Sequence, residues 1–259
     1  MLYDHRDIPK AKRIVVKVGS SSITGENSAN LAKLVEAIAE RNKTGQQIVL
    51  VTSGAIATAL PLMHFQEKPQ DLATSQALAA IGQSRLMLRY QTELEKYDLL
   101  AGQVLLSATD LDNEESSNNA KEALEKLIEL GVVPIVNEND TVATQEIRFG
   151  DNDRLAALVA ILVESDALVL LSDVDALYDR SPTEEGSQKI EWVEPLDDLS
   201  GIKIGASSTK VGTGGAVTKI QAARTATDAG ITVLLTSIDN VARVLSGERV
   251  GTWFRAKED

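Results

Sequence analysis

A chain of 259 residues, 43% hydrophobic and 25% charged, has material for one large α/β domain or two small ones. A formal net charge of -12 argues against nucleic acid or an anionic membrane surface as a partner, and no run of about 18 apolar residues offers a membrane span. Cysteine is absent and the only histidines are His5 and His64, which removes disulfides, thiolate nucleophiles, cysteine-ligated zinc and the parts of a Ser-His-Asp triad. The first residues, MLYDHRDIPKAKR, are charged and lack the apolar centre of a signal peptide, so a cytoplasmic location is expected. His5 falls in an N-terminal arm, and His64, beside Phe65, reads as a surface or helix-end residue. Any chemistry must run on Lys, Asp, Asn, Ser, backbone amides and a hard cation.

In chain order, Arg13 to Val18 and Ile48 to Thr52 are β-branched runs that read as buried parallel strands. Between them Leu31, Leu34, Val35 and Ile38 recur at helical spacing up to Gly45, which makes a β-α-β unit. A helical region that allows a break runs from about Leu72 to Tyr97, followed by a strand at Gly102 to Leu106. Ala120 to Leu130 is an amphipathic helix stopped by Gly131. Val132 to Val136 is a strand whose Pro134 suggests an edge or kinked position. Leu155 to Val163 and Ala216 to Ala229 read as helices, each followed by an apolar strand, at Ala167 to Leu171 and Ile231 to Leu235. The polar stretch from Ser181 to Gly205 is expected to lie off the main sheet, with Lys189 to Val193 in a small hairpin. The alternation predicts an α/β fold, a mainly parallel sheet sandwiched between helices in three αβα layers.

Ligands of open parallel sheets bind beyond the carboxyl ends of the strands. Those ends here deliver Lys17-Val18-Gly19-Ser20, Thr52-Ser53-Gly54-Ala55, Asn137-Glu138-Asn139-Asp140-Thr141 and Ser172-Asp173-Val174-Asp175. Lys17 is either a lysine turned toward a phosphate, with Gly19 allowing close approach, or one snorkelling from an edge strand. Ser53 and Gly54 mark a strand-to-helix turn that suits an anion, or a simple Ser53 cap. Gly212 to Lys219 (GTGGAVTK) is a glycine-rich loop entering a helix, able to cradle a polyphosphate. It is neither a Walker A sequence nor a dinucleotide fingerprint, because Thr218 precedes Lys219 and Val217 replaces the third glycine. Asp151, Asn152 and Asp153 stand in a row behind Gly150, more polar groups than one helix cap requires. With Asp140 they could hold an ammonium group and orient the lysines. Asp112, Glu114 and Glu115 read as a solvated helix entrance. Two lysines across a cleft suit phosphoryl transfer, and a carboxylate acceptor, already ionised, needs no general base.

Six motifs in this order, KVGSS, VTSGAIA, NENDTVAT, FGDND, LLSDVDALY and GTGGAVTK, closely resemble the glutamate 5-kinases of the amino acid kinase family. The likeness runs from about Arg13 to the final GTWF. The resemblance implies ATP-dependent formation of γ-glutamyl phosphate from L-glutamate, with Mg²⁺, at the start of proline biosynthesis. It implies that Lys17 and Lys219 stabilise the transferring phosphate and that Asp153 belongs to the same catalytic cluster. It assigns Ser53, Gly54, Asp140 and Asn152 to glutamate. Lys17, Ser172, Asp173, Thr213, Gly214, Gly215, Ala216, Val217, Thr218 and Lys219 go to the nucleotide, and no residue is assigned as a protein metal ligand. Ala216, Ala176 and Ala59 depart from the family pattern, which usually has Met in TGGM, Gly in DGLY and Gly after SGAIA.

The expectation is therefore one amino acid kinase domain over residues 1–259, with the acceptor part at about 10–165 and the nucleotide part at about 166–259. It is a short form lacking the C-terminal RNA-associated domain of many members. The family further implies a homo-oligomer, dimer or tetramer, inhibited by proline. The alternatives are a kinase of the same fold for another acid such as N-acetylglutamate, a non-catalytic ligand sensor, and a nicotinamide-dependent oxidoreductase.

Overall fold

The computed structural model describes residues 2–142, 152–181, 184–199 and 216–257. Among these, the main sheet has eight strands in the order β3-β4-β2-β1-β5-β9-β10-β8. Its strands are β1 (Arg13–Val18), β2 (Gln47–Val51), β3 (Ala101–Leu106), β4 (Val133–Glu138), β5 (Ala167–Ser172), β8 (Trp192–Val193), β9 (Thr232–Ser237) and β10 (Thr252–Phe254). All neighbours pair in parallel except β9 and β10. A separate two-stranded ribbon joins β6 (Leu177–Tyr178) to β7 (Lys189–Ile190).

The helices are α1 (Ser20–Ile23), α2 (Asn30–Lys43), α3 (Ala55–Ala59), α4 (Leu72–Glu95), α5 (Ala108–Asp112), α6 (Glu114–Glu129), α7 (Asn152–Leu162), α8 (Ala216–Asp228) and α9 (Val241–Leu245). The period-two alternation of a strand sends β1 side chains to two different cores. Ile14, Val16 and Val18 join Leu31, Leu34 and Ile38 of α2, Leu86 and Leu94 of α4, and Val244 of α9. Val15 joins the opposite core, with Leu124 of α6, Val159 of α7 and Ala223 of α8. The three αβα layers follow directly. Each large aliphatic side chain sealed this way contributes about 1.5–3 kcal/mol.

Local sequence explains where several helices start and stop. Asp71 caps α4 by accepting from the Thr74 N–H at 2.8 Å, and Asn113 caps α6 by accepting from the Ser116 N–H at 2.9 Å. Beyond α2 and α6 the chain turns through the left-handed region at Gly45 and Gly131, where β-carbons are disfavoured.

Four expectations change. Helix α4 runs unbroken over 24 residues. Strand β4 is interior, between β3 and β2, so Pro134 is not on an edge. The conflict is avoided because the register with β2 begins only at Ile135 and continues at Val136, past the proline. The stretch Lys189 to Val193 is not one hairpin. Lys189 and Ile190 pair with Tyr178 and Leu177, whereas Trp192 and Val193 pair with Trp253 and Phe254 and extend the main sheet. His5 is likewise no loose arm. It lies in a 3-10 helix, His5–Lys10, and is buried with its ring 4.9 Å from that of Trp253 and 5.5 Å from that of Trp192. His64, by contrast, is exposed at the end of a short 3-10 helix, as expected.

Candidate active site

Strand β1 is central, flanked by β2 on one side and β5 on the other. Successive strands spread outward from it in both directions, so the crevice between β1 and β5 is the topological switch point where ligands of such sheets bind. Lys17 sits there. The edge-strand reading of this lysine is therefore wrong: its side chain is buried, on the same face as Val15, toward α7 and α8.

That face supplies its counter-ion. Asp153, in the first turn of α7, is fully buried and its Oδ1 lies 2.5 Å from Lys17 Nζ. Its Oδ2 accepts from Lys219 Nζ at 3.0 Å and from Thr218 Oγ1 at 3.1 Å, both on the first turn of α8. One carboxylate thus gathers two buried ammonium groups from elements far apart in the chain. Burial alone would raise the Asp153 carboxyl, but Lys17 and Lys219 outweigh it and hold it at about 2. The carboxylate remains charged at any working pH. A β-carbon on Gly19 would stand 3.8 Å from Lys17 Nζ, so glycine keeps the space in front of that ammonium clear.

A second group of polar residues lies at the ends of β2 and β4. Asn152, next to Asp153 and also buried, donates from Nδ2 to the Thr52 carbonyl and, at 2.7 Å, to Asn137 Oδ1. Ser53 is buried, and its Oγ has no hydrogen-bond partner among the described residues; neither has Asn152 Oδ1. Buried polar atoms are seldom left unpaired, so these two are candidate ligand contacts. Ser53 does not cap α3. That place belongs to Gly54, at φ 107°, with no side-chain capping bond. Because α3 is only five residues long, its dipole is small, and the argument for an anion passes from the helix end to the Ser53 hydroxyl. Asp140, half-buried beyond β4, is pushed up to about 7 by burial and by Glu138, with Lys68 pulling the other way.

On the other half of the sheet Ser172 is buried at the end of β5, and its Oγ donates to exposed Asp173 Oδ1 at 3.0 Å. Ala216 opens α8, and Val217 is exposed on its first turn. Thr213, Gly214 and Gly215, like Phe149, Gly150 and Asp151, lie outside the described residues. Asp112, Glu114 and Glu115 are exposed around the α5–α6 junction, as a solvated entrance should be.

The structure therefore brings together Lys17, Asp153, Thr218 and Lys219 as one cluster, with Asn152 joining it to Thr52. It sets Ser172 and Asp173 at the end of the neighbouring strand. Sequence reasoning gave no role to Asn137, or to Gln83 of α4, whose Oε1 accepts from Asn137 Nδ2 at 2.7 Å. Asn137 had a signal, its place at a strand end. Gln83 had none, sitting mid-helix among ordinary helix formers.

Comparison with known proteins places this site in a family. The model of the amino acid kinase family matches residues 12–237. A glutamate 5-kinase of Clavibacter sepedonicus is 59% identical over 247 residues, covering 95% of each chain. One of Leifsonia xyli subsp. xyli is 56% identical over 257 residues, covering 99% of this chain and 95% of that one. Among solved structures, the carbamate kinase of Giardia lamblia bound to AMP-PNP superimposes with a TM-score of 0.68 at 16% identity, covering 96% of this chain and all of that one, which is a likeness of fold. Matched by the family model across its buried lysine–aspartate cluster and by relatives of its own length, the chain belongs to the amino acid kinase family.

Proposed function

We propose that the protein transfers the γ-phosphoryl group of ATP to the side-chain carboxylate of L-glutamate, giving γ-glutamyl phosphate and ADP. The observation that carries the reaction type is the buried Lys17–Asp153–Lys219 cluster at the switch point of the sheet. The identity of the acceptor rests on the relatives, which are glutamate 5-kinases. A carboxylate oxygen of the acceptor attacks the γ-phosphorus as the bond to the β,γ-bridging oxygen breaks, and ADP departs with the electron pair. Charge spreads over the equatorial oxygens, and two fixed ammonium groups stabilise it without reorganising. Asp153 is the positioning residue that holds both lysines before the nucleotide arrives.

Glutamate binds across the ends of β2 and β4. Asp140 and Asn152 Oδ1 accept from its ammonium, and Ser53 Oγ donates to a carboxylate. A free ammonium suits these acceptors better than the single amide N–H of N-acetylglutamate. The nucleotide lies over β5 and the start of α8, against Ser172, Asp173 and the segment from Thr213 to Lys219. Among the described residues the Asp153 carboxylate is already engaged on both oxygens by ammonium groups, so Mg²⁺ would come with the ATP phosphates. When bound, it neutralises phosphate charge. Entry into proline biosynthesis, inhibition by proline, assembly as a dimer or tetramer and a cytoplasmic location complete the reading, on the strength of the family resemblance. Among the described residues, no helix is long and apolar enough to cross a membrane.

The test is hydroxamate formation from ATP, Mg²⁺ and hydroxylamine, with glutamate, N-acetylglutamate and aspartate compared. Signal with glutamate is expected, and Lys219→Ala should lower it by at least about a hundredfold while the protein stays folded. Signal with another acid alone would change the acceptor. Full activity in the mutant would remove Lys219 from the mechanism.

A further inference from the structure

The amides beside the acceptor site form a chain whose direction is set at two points. The Thr52 carbonyl can only accept, so the Asn152 atom donating to it is the amide nitrogen. The Glu138 backbone N–H can only donate, and it reaches Asn137 Oδ1 at 2.9 Å. Asn137 therefore faces Gln83 with its nitrogen, and Gln83 answers with Oε1. With that oxygen committed, the Gln83 nitrogen points elsewhere. It is buried and has no hydrogen-bond partner among the described residues. Leaving such a donor unpaired costs about 1–3 kcal/mol, so a ligand that accepts from it gains that much over one that cannot.

The backbone holds this glutamine in place. A β-carbon on the preceding Gly82 would fall 1.7 Å from the Ala55 carbonyl oxygen, so at this turn α4 lies directly on α3, whose cap is Gly54. Gln83 is thus pinned between the Ser53 turn and the end of β4.

We propose that the Gln83 side-chain amide donates a hydrogen bond to the non-reacting carboxylate of the acceptor and so selects for an acid at that end of the substrate. The assignment rests on the glutamate-phosphorylating reading above. It is the non-reacting carboxylate because, among the described residues, Gln83 is linked to the Lys17–Asp153–Lys219 cluster through Asn137 and Asn152, whereas Asn152 is the chain neighbour of Asp153. The three buried atoms left open, Gln83 Nε2, Ser53 Oγ and Asn152 Oδ1, then divide as donors to carboxylate and acceptor from ammonium.

The variant Gln83→Glu separates this role from a purely structural one. Its carboxylate still accepts from Asn137 Nδ2, so the amide chain keeps its bond, but the free donor becomes an acceptor. The acceptors to compare are glutamate and its α-amide, isoglutamine, which carries an N–H donor where glutamate has the carboxylate. In parent enzyme glutamate should be preferred. In Q83E the KM for glutamate should rise about tenfold or more, the KM for ATP should stay put, and the kcat/KM ratio of glutamate to isoglutamine should fall at least about tenfold. A parental ratio in Q83E, or equal losses with both acceptors, overturns the proposal. If Q83E does not fold, Gln83→Met, of similar volume, must still raise the glutamate KM selectively; unchanged KM there also overturns it. A parent enzyme that phosphorylates neither compound would instead overturn the underlying functional reading.

Discussion

Lys17, Asp153 and Lys219 share one physical circumstance. One buried carboxylate faces both amino groups, and removing a partner from a buried ion pair typically costs about 3–5 kcal/mol. Asp140 is in the opposite state. Burial beside Glu138 raises its carboxyl to about 7, so in the free protein it is about half protonated at neutral pH. Only the anion can pair with a substrate ammonium, and the anion disappears as the pH falls. The KM for glutamate should therefore rise about tenfold between pH 8 and pH 6, the change in the ionised fraction of a group titrating near 7. Asp140→Asn should give a high KM that no longer varies over this range. A flat profile in the parent would take Asp140 out of ammonium recognition.

Between elements, the tightest contact near the site is that of α4 with α3. Gly82 is what permits it, because any side chain there would overlap the Ala55 carbonyl, a backbone atom with no freedom to move aside. Gly82→Ala would gain helix propensity worth about 1 kcal/mol in isolation. In the folded protein the overlap should reverse the sign, costing about 1–3 kcal/mol or more, and push Gln83 and the Ser53 turn apart. Thermal melting should show a lowered Tm, with the KM for glutamate raised more than that for ATP. An unchanged or raised Tm would mean that α3 yields easily. Sequence patterning located both helices, α4 as a helical region from about Leu72 and α3 as a helix opening after Gly54. It could not show which turn of α4 meets α3, because a glycine required by close approach looks the same as one merely tolerated. Pro134 taught a similar lesson: its rule concerns pairing, and the pairing partner begins one residue later.

Across the whole molecule, strands β3, β4 and β2 on one side and β5, β9, β10 and β8 on the other are joined by β1, which pairs with β2 and β5 over five residues each. Such a continuous sheet should melt as one unit. The chain offers a convenient check. Its two tryptophans, Trp192 and Trp253, both lie at the β8–β10 edge, so their fluorescence reports that half of the sheet, whereas far-UV circular dichroism reports all helices. Coincident midpoints are expected. Separate midpoints would mean that the halves fold independently.

The sequence by itself determined the longer strands and helices and their alternation, because hydrophobic period is a local property readable within a few residues. It also determined which polar residues stand at strand ends, and through them the family. Only the tertiary structure decided that Lys17 lies on a central strand, that Trp192 and Val193 extend the main sheet, and that Gln83 meets Asn137. These are pairings between segments far apart in the chain: Asn152 meets Thr52 across 100 residues, and Lys219 meets Asp153 across 66. No local pattern encodes such a partner. It is selected when the whole sheet closes and each buried polar group must find a counterpart.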